Sequence, residues 1–143
     1  MNKKLAIAPM LALAIAAAGC GNSDSNNFIE GYNDATAPLQ ELTTDLGSAA
    51  GGGAGADAKL NQMADGLEDV KTRLAGLEPP DGAQDELDAM LKALDDTAAQ
   101  VREIAKSAKS GDVEALTAAA TELSTTGNAL VTAENNLQAA VEG

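Results

Sequence analysis

The stretch Leu87-Asp88-Ala89-Met90-Leu91-Lys92-Ala93-Leu94-Asp95-Asp96-Thr97-Ala98-Ala99-Gln100-Val101 decides the fold. Its apolar positions Leu87, Leu91, Leu94, Ala98 and Val101 recur at alternating steps of 4 and 3, and Ala105 and Ala108 continue the series. Such steps average 3.5 residues, which keeps one apolar seam of an α-helix turned toward a partner helix. A strand would instead alternate every second residue and favour Val, Ile and aromatics.

Working outward, the same period returns on both sides. Leu60, Met63, Leu67, Val70, Leu74 and Leu77 form a second seam, and Phe28, Tyr32, Ala35, Leu39, Leu42 and Leu46 another. A last one runs through Val113, Leu116, Ala120 and Leu123, breaks near Gly127, and resumes with Leu130, Leu137 and Val141. The expected architecture is all-α: an antiparallel four-helix bundle with helices at about 28–46, 57–77, 81–109 and 112–141. Its domain spans 28–143.

The breaks carry their own chemistry. Gly47 to Ala56 is nearly pure Gly, Ala and Ser and reads as a flexible link. Pro79-Pro80-Asp81 stops one helix and starts the next, with Asp81 and Gln84 spaced as a capping box. Gly111 ends the third helix and Asp112 offers an N-cap to the fourth. Short connections make the flanking helices antiparallel neighbours. Pro38 conflicts with a continuous first helix: it should kink the helix or mark a true first turn.

Before the seams, residues 1–20 have a different character. Lys3 and Lys4 precede an apolar run from Leu5 to Ala18, then Gly19 and Cys20. A basic start, a short apolar stretch and small residues before a cut site make a secretory signal peptide, here 1–19. The run is short for a membrane span and contains Pro9, so a retained transmembrane helix is the less favoured reading. Cys20 is the one cysteine of the chain, which excludes an intramolecular disulfide. Beside Gly19, Gly21 and Asn22 it is poorly placed for a core. Residues 20–27 read as the attachment point and a flexible polar tether.

Ala17-Ala18-Gly19-Cys20 resembles the lipobox of bacterial lipoproteins, with Ala17 where Leu is usual. In that family the cysteine thiol is alkylated by a diacylglyceryl group. The peptide before it is then cleaved, here between Gly19 and Cys20, and the new amino terminus is usually acylated with a fatty acid such as palmitate. Two or more acyl chains anchor stably, at ~0.8 kcal/mol per buried CH₂. The implied partner of Cys20 is therefore membrane lipid, and the implied location is the extracytoplasmic face of the cell membrane.

The resemblance extends to small exported lipoproteins of actinobacterial type. It rests on the opening Phe28-Ile29-Glu30-Gly31-Tyr32-Asn33, the hinge Leu74-Ala75-Gly76-Leu77-Glu78-Pro79-Pro80, and the Ser110-Gly111-Asp112 turn. Beyond the lipobox these are structural motifs and imply no activity.

Composition excludes several functions. Of 9 Lys and Arg, Lys3 and Lys4 precede Cys20, whereas all 22 Asp and Glu follow it, leaving a net charge of −15 from Cys20 onward. That disfavours nucleic acid and electrostatic docking on anionic lipid. With no histidine and its cysteine assigned to lipid, the chain lacks the usual zinc, haem and hydrolase-triad residues. Met63 and Met90 lie on or beside seams and read as core.

Two acidic groups, Asp65, Glu68 and Asp69, and Asp81, Asp85, Glu86 and Asp88, have the composition of a weak calcium site or of a patch for a cationic partner. They lack calcium-loop spacing, so the favoured reading is a solvated face. Asp69 with Arg73 and Asp88 with Lys92 have the spacing of intrahelical ion pairs. No enzyme activity, cofactor or metal is expected. The functional expectation is a binding or scaffolding module of the cell envelope, with an envelope protein as partner. The alternative is a carrier holding a small apolar ligand between the helices.

Overall fold

A computed structural model describes residues 23–49 and 55–142, with only the helical backbone described for 40–49. The signal-peptide region, Gly19 and Cys20, the side chains of Leu42 and Leu46, and Gly51 to Gly53 lie outside the described residues. The chain forms a four-helix bundle: α1 (Ser23–Ala49), α2 (Ala56–Leu74), α3 (Gln84–Ser110) and α4 (Val113–Glu142). No strand occurs among the described residues. In the backbone packing α1 lies along α2, α2 along α3 and α3 along α4.

The 3-and-4 seams are what these helices bury. Tyr32, Leu39, Leu67, Val70, Leu74, Leu87, Leu94, Val101, Leu130 and Leu137 are all buried. Fully burying such a side chain is worth roughly 1.5–3 kcal/mol, so these positions hold the helices together. Phe28 and Tyr32, the two aromatics, stack obliquely with ring centres 6.2 Å apart. The seams thin out at one end: Ala108 is exposed, and Val113 is 73% exposed, so α4 buries its first residue only at Ala119.

Several boundaries differ from expectation, each for a local reason. The first helix starts at Ser23, so residues 23–27, expected in the tether, are helical. It continues through Pro38 to Ala49, which rules out Pro38 as a helix start and brings 47–49 out of the expected link. A proline removes one backbone donor, and a helix already formed on both sides absorbs that loss. Gly127 likewise fails to break α4, because one mid-helix glycine costs only about 1 kcal/mol.

The capping box at Asp81 does not form. Gly82 takes φ +90°, the left-handed region open to glycine, and the Ala83 N–H closes a turn on the Pro80 carbonyl at 3.1 Å. The turn moves the start of α3 to Gln84, leaving Asp81 outside, and Ala83 occupies the N-cap without a side-chain bond. Asp112 does cap as expected: its Oδ1 accepts from the Ala115 N–H at 3.0 Å. Gly111, at φ +71°, closes α3.

Candidate functional site

Cys20, the residue that carries the expected chemistry, lies outside the described residues. No helix of the described residues is long and apolar enough to cross a membrane.

The first acidic group is not simply solvated. Asp65 and Glu68 stand one helical turn apart on α2, which aims both carboxylates at α3. Arg102 answers from α3: its Nη2 donates to Asp65 Oδ1 at 2.9 Å and its Nη1 to Glu68 Oε1 at 2.5 Å. One turn along α2, Lys71 reaches Asp95 Oδ1 on α3 at 2.7 Å. The Arg102 hydrogen bond holds the Glu68 carboxyl below its ordinary range, and Lys71 does the same for Asp95. Arg102 is held still more firmly protonated by its two acceptors.

The expected pairs Asp69–Arg73 and Asp88–Lys92 do not form among the described residues. Lys92 turns to Asp96, and Asp88 accepts from Gln84 Nε2 at 2.9 Å. Charge on this face therefore staples α2 to α3, a structural task. In the second acidic group Asp81, Asp85 and Asp88 are exposed, whereas Glu86 is half-buried and its Oε2 has no hydrogen-bond partner; Asp85 and Glu86 stand in the first turn of α3, where carboxylates suit the positive end of the helix dipole. Among the described residues no three His, Cys, Asp or Glu side chains converge as metal ligands would.

The unusual polar groups are inside. The Tyr32 side chain is wholly buried and its hydroxyl has no hydrogen-bond partner. Burial, with the nearby Glu134 charge, pushes the phenol well up. Glu134 on α4 is half-buried, and desolvation lifts its carboxyl to about 6. Buried Thr36 and Thr97 satisfy themselves by donating to carbonyls one turn back, Tyr32 O at 2.9 Å and Ala93 O at 2.7 Å. Glu134 was not anticipated from the sequence. Its signal was there: Leu130, Glu134 and Leu137 share a helix face, an acid inside an apolar stripe.

Compared with known proteins, the chain matches no family model, no curated protein and no solved structure.

Proposed function

We propose that this chain is an exported lipoprotein of the bacterial cell envelope, in which acylated Cys20 anchors a non-catalytic helical bundle at the extracytoplasmic face of the membrane. The bundle acts there as a binding or scaffolding module. One observation carries the reading: the chain's single cysteine closes Ala17-Ala18-Gly19-Cys20, behind Lys3, Lys4 and an apolar run. The resemblance to small actinobacterial lipoproteins points the same way.

Two features support a scaffold over a ligand carrier. Leucines fill the interior, with Leu67, Leu74, Leu87, Leu94, Leu130 and Leu137 closed off from solvent. Lys71 and Arg102 spend their charge on joining α2 to α3.

Mass spectrometry of the protein from membranes tests the anchor. The mature amino terminus is expected at Cys20 with a diacylglyceryl increment, with or without a further acyl chain. Cys20→Ala is expected to leave an unlipidated, uncleaved or miscleaved precursor. Normal soluble export of that variant would overturn the anchor. Crosslinking in the intact cell then identifies the envelope partner.

A further inference from the structure

Among the described residues three sides of the bundle are closed by backbone packing and the fourth is not. α1 packs along α2, α2 along α3 and α3 along α4, but α1 and α4 make no comparable contact. Two glycines show the contrast. A Cβ on Gly31 would press into Leu77, just past α2, whereas a Cβ on Gly127 of α4 would meet nothing within 4 Å.

Gly127 belongs to a stripe of α4 that runs beside its buried line. Ala120, Leu123, Gly127, Val131, Glu134 and Gln138 recur at steps of 3 and 4, and all are partly exposed. The charge of Glu134 bears on the Tyr32 phenol, so the stripe flanks α4 on its α1 side. The Tyr32 hydroxyl, wholly buried, has no hydrogen-bond partner there. Close packing of α1 would bury such a stripe; it stays partly open.

Charge divides the molecule in the same way. Every Lys and Arg after Cys20 stands on α2 or α3, where Lys71 and Arg102 pair with acids. α1 and α4 carry no basic residue, only acids such as Glu30, Asp34, Glu122 and Glu134. The open side is thus partly apolar along α4 and bordered by two helices whose only charge is negative.

We propose that this open side is a docking groove for a basic amphipathic helix of an envelope protein. The inference rests on the reading of the chain as a binding module and names the surface and the partner's chemistry. A helix laid between α1 and α4 sets its apolar residues on Leu123 and Val131, and the missing side chain at Gly127 lets it approach closely. Its Lys and Arg meet Glu134 and the acids of α1, which have no basic residue on their own helices. A second copy of the chain would instead bring like charge to like across these helices. Nucleic acid or anionic lipid would do the same.

The test titrates the full chain with a labelled Leu/Lys peptide of about five turns whose leucines recur at helical spacing. A peptide of the same composition in scrambled order and a Leu/Glu peptide of the same pattern are the comparisons. Saturable binding is expected for the first alone, weakening as salt rises. Val131→Lys is expected to weaken it at least about tenfold, and Glu134→Gln about two- to fivefold. Gln138→Lys, a milder change at another partly exposed position of the stripe, is expected to weaken it in the same sense. Ala99→Lys, exposed on α3, is expected to leave it unchanged. Backbone amide shifts on binding are expected in residues 28–39 and 120–141 and not in 92–103. Equal binding of the scrambled peptide, no saturable binding of the amphipathic one, an unchanged affinity in both Val131→Lys and Gln138→Lys, or an equal loss in Ala99→Lys would each overturn the groove. Binding is read on the purified chain, so a failure of lipidation at Cys20 would leave this result untouched.

Discussion

Leu77 Cδ2 lies 2.7 Å from the point where a Cβ on Gly31 would sit. The missing side chain at Gly31 is what lets Leu77, just past the end of α2, seat against α1. A Cβ at that distance has to displace the leucine methyl, which is the flexible end of a side chain and can turn away. Gly31→Ala therefore sets a rotamer cost of about 0.5–1.5 kcal/mol against a helix-propensity gain of about 1 kcal/mol. The expected outcome is a net change within about 1 kcal/mol by urea unfolding. Gly31→Leu cannot be relieved by one rotamer and is expected to cost about 1–3 kcal/mol.

Arg102 joins two acids of the neighbouring helix, and its replacement separates charge from packing. Arg102→Met keeps an apolar stem along α2 but leaves Asp65 and Glu68 as adjacent like charges. A lower melting temperature is expected at low salt. Because these groups are exposed, the difference should shrink markedly at about 0.5 M sodium chloride. A salt-independent loss would show that Arg102 acts through its stem alone.

Leu94 is fully buried at the middle of α3. Leu94→Ala is expected to cost about 2–5 kcal/mol through lost contacts and a residual cavity. Leu94→Asp places an unpaired carboxylate there and is expected to leave the chain largely unfolded near neutral pH, as circular dichroism would read directly.

Stability is expected to peak in mildly acidic solution. Glu68 and Asp95, held low by Arg102 and Lys71, contribute stability that is present at neutral pH and lost as pH falls below their ordinary values of 4.5 and 3.8. Glu134 works in the opposite sense, losing its contribution as pH rises through about 6. Melting temperatures across pH 3 to 8 should therefore pass through a maximum between about 4.5 and 6. A monotonic rise to pH 8 would contradict the burial of Glu134.

The helices were legible because local spacing alone determines them. Leu67, Leu94, Val101 and Leu137 all fell on the 3-and-4 seams and all are buried. Met90, Thr97 and Ile104 are buried as well, on a second line of α3 that the single seam omitted. A helix in a bundle touches two neighbours, so it buries a stripe wider than one seam. Capping was legible at Asp112, where glycine and acid alone suffice, and misread at Asp81, where the Gly82 turn intervenes. The Arg102 bridge was hidden because it depends on the register between α2 and α3, which no spacing within either helix encodes.

Under the proposed anchor at Cys20, the early start of α1 would set which end of the bundle lies nearest the membrane. Only Gly21 and Asn22 separate Cys20 from the first helical residue, so the three Cα-to-Cα steps between them span at most about 11 Å. A chain anchored at Cys20 is thus a short post held at its foot. The foot includes the start of α1, the Pro79-to-Gly82 turn and the end of α4, rich in acids such as Glu78, Asp81 and Glu142. So anchored, that end would sit within about one screening length of the lipid headgroups, where like charge would keep it from lying down on an anionic bilayer. The Gly111–Asp112 turn, with Lys109 and exposed Val113, is then the crown, held about 40 Å out by the 27-residue length of α3.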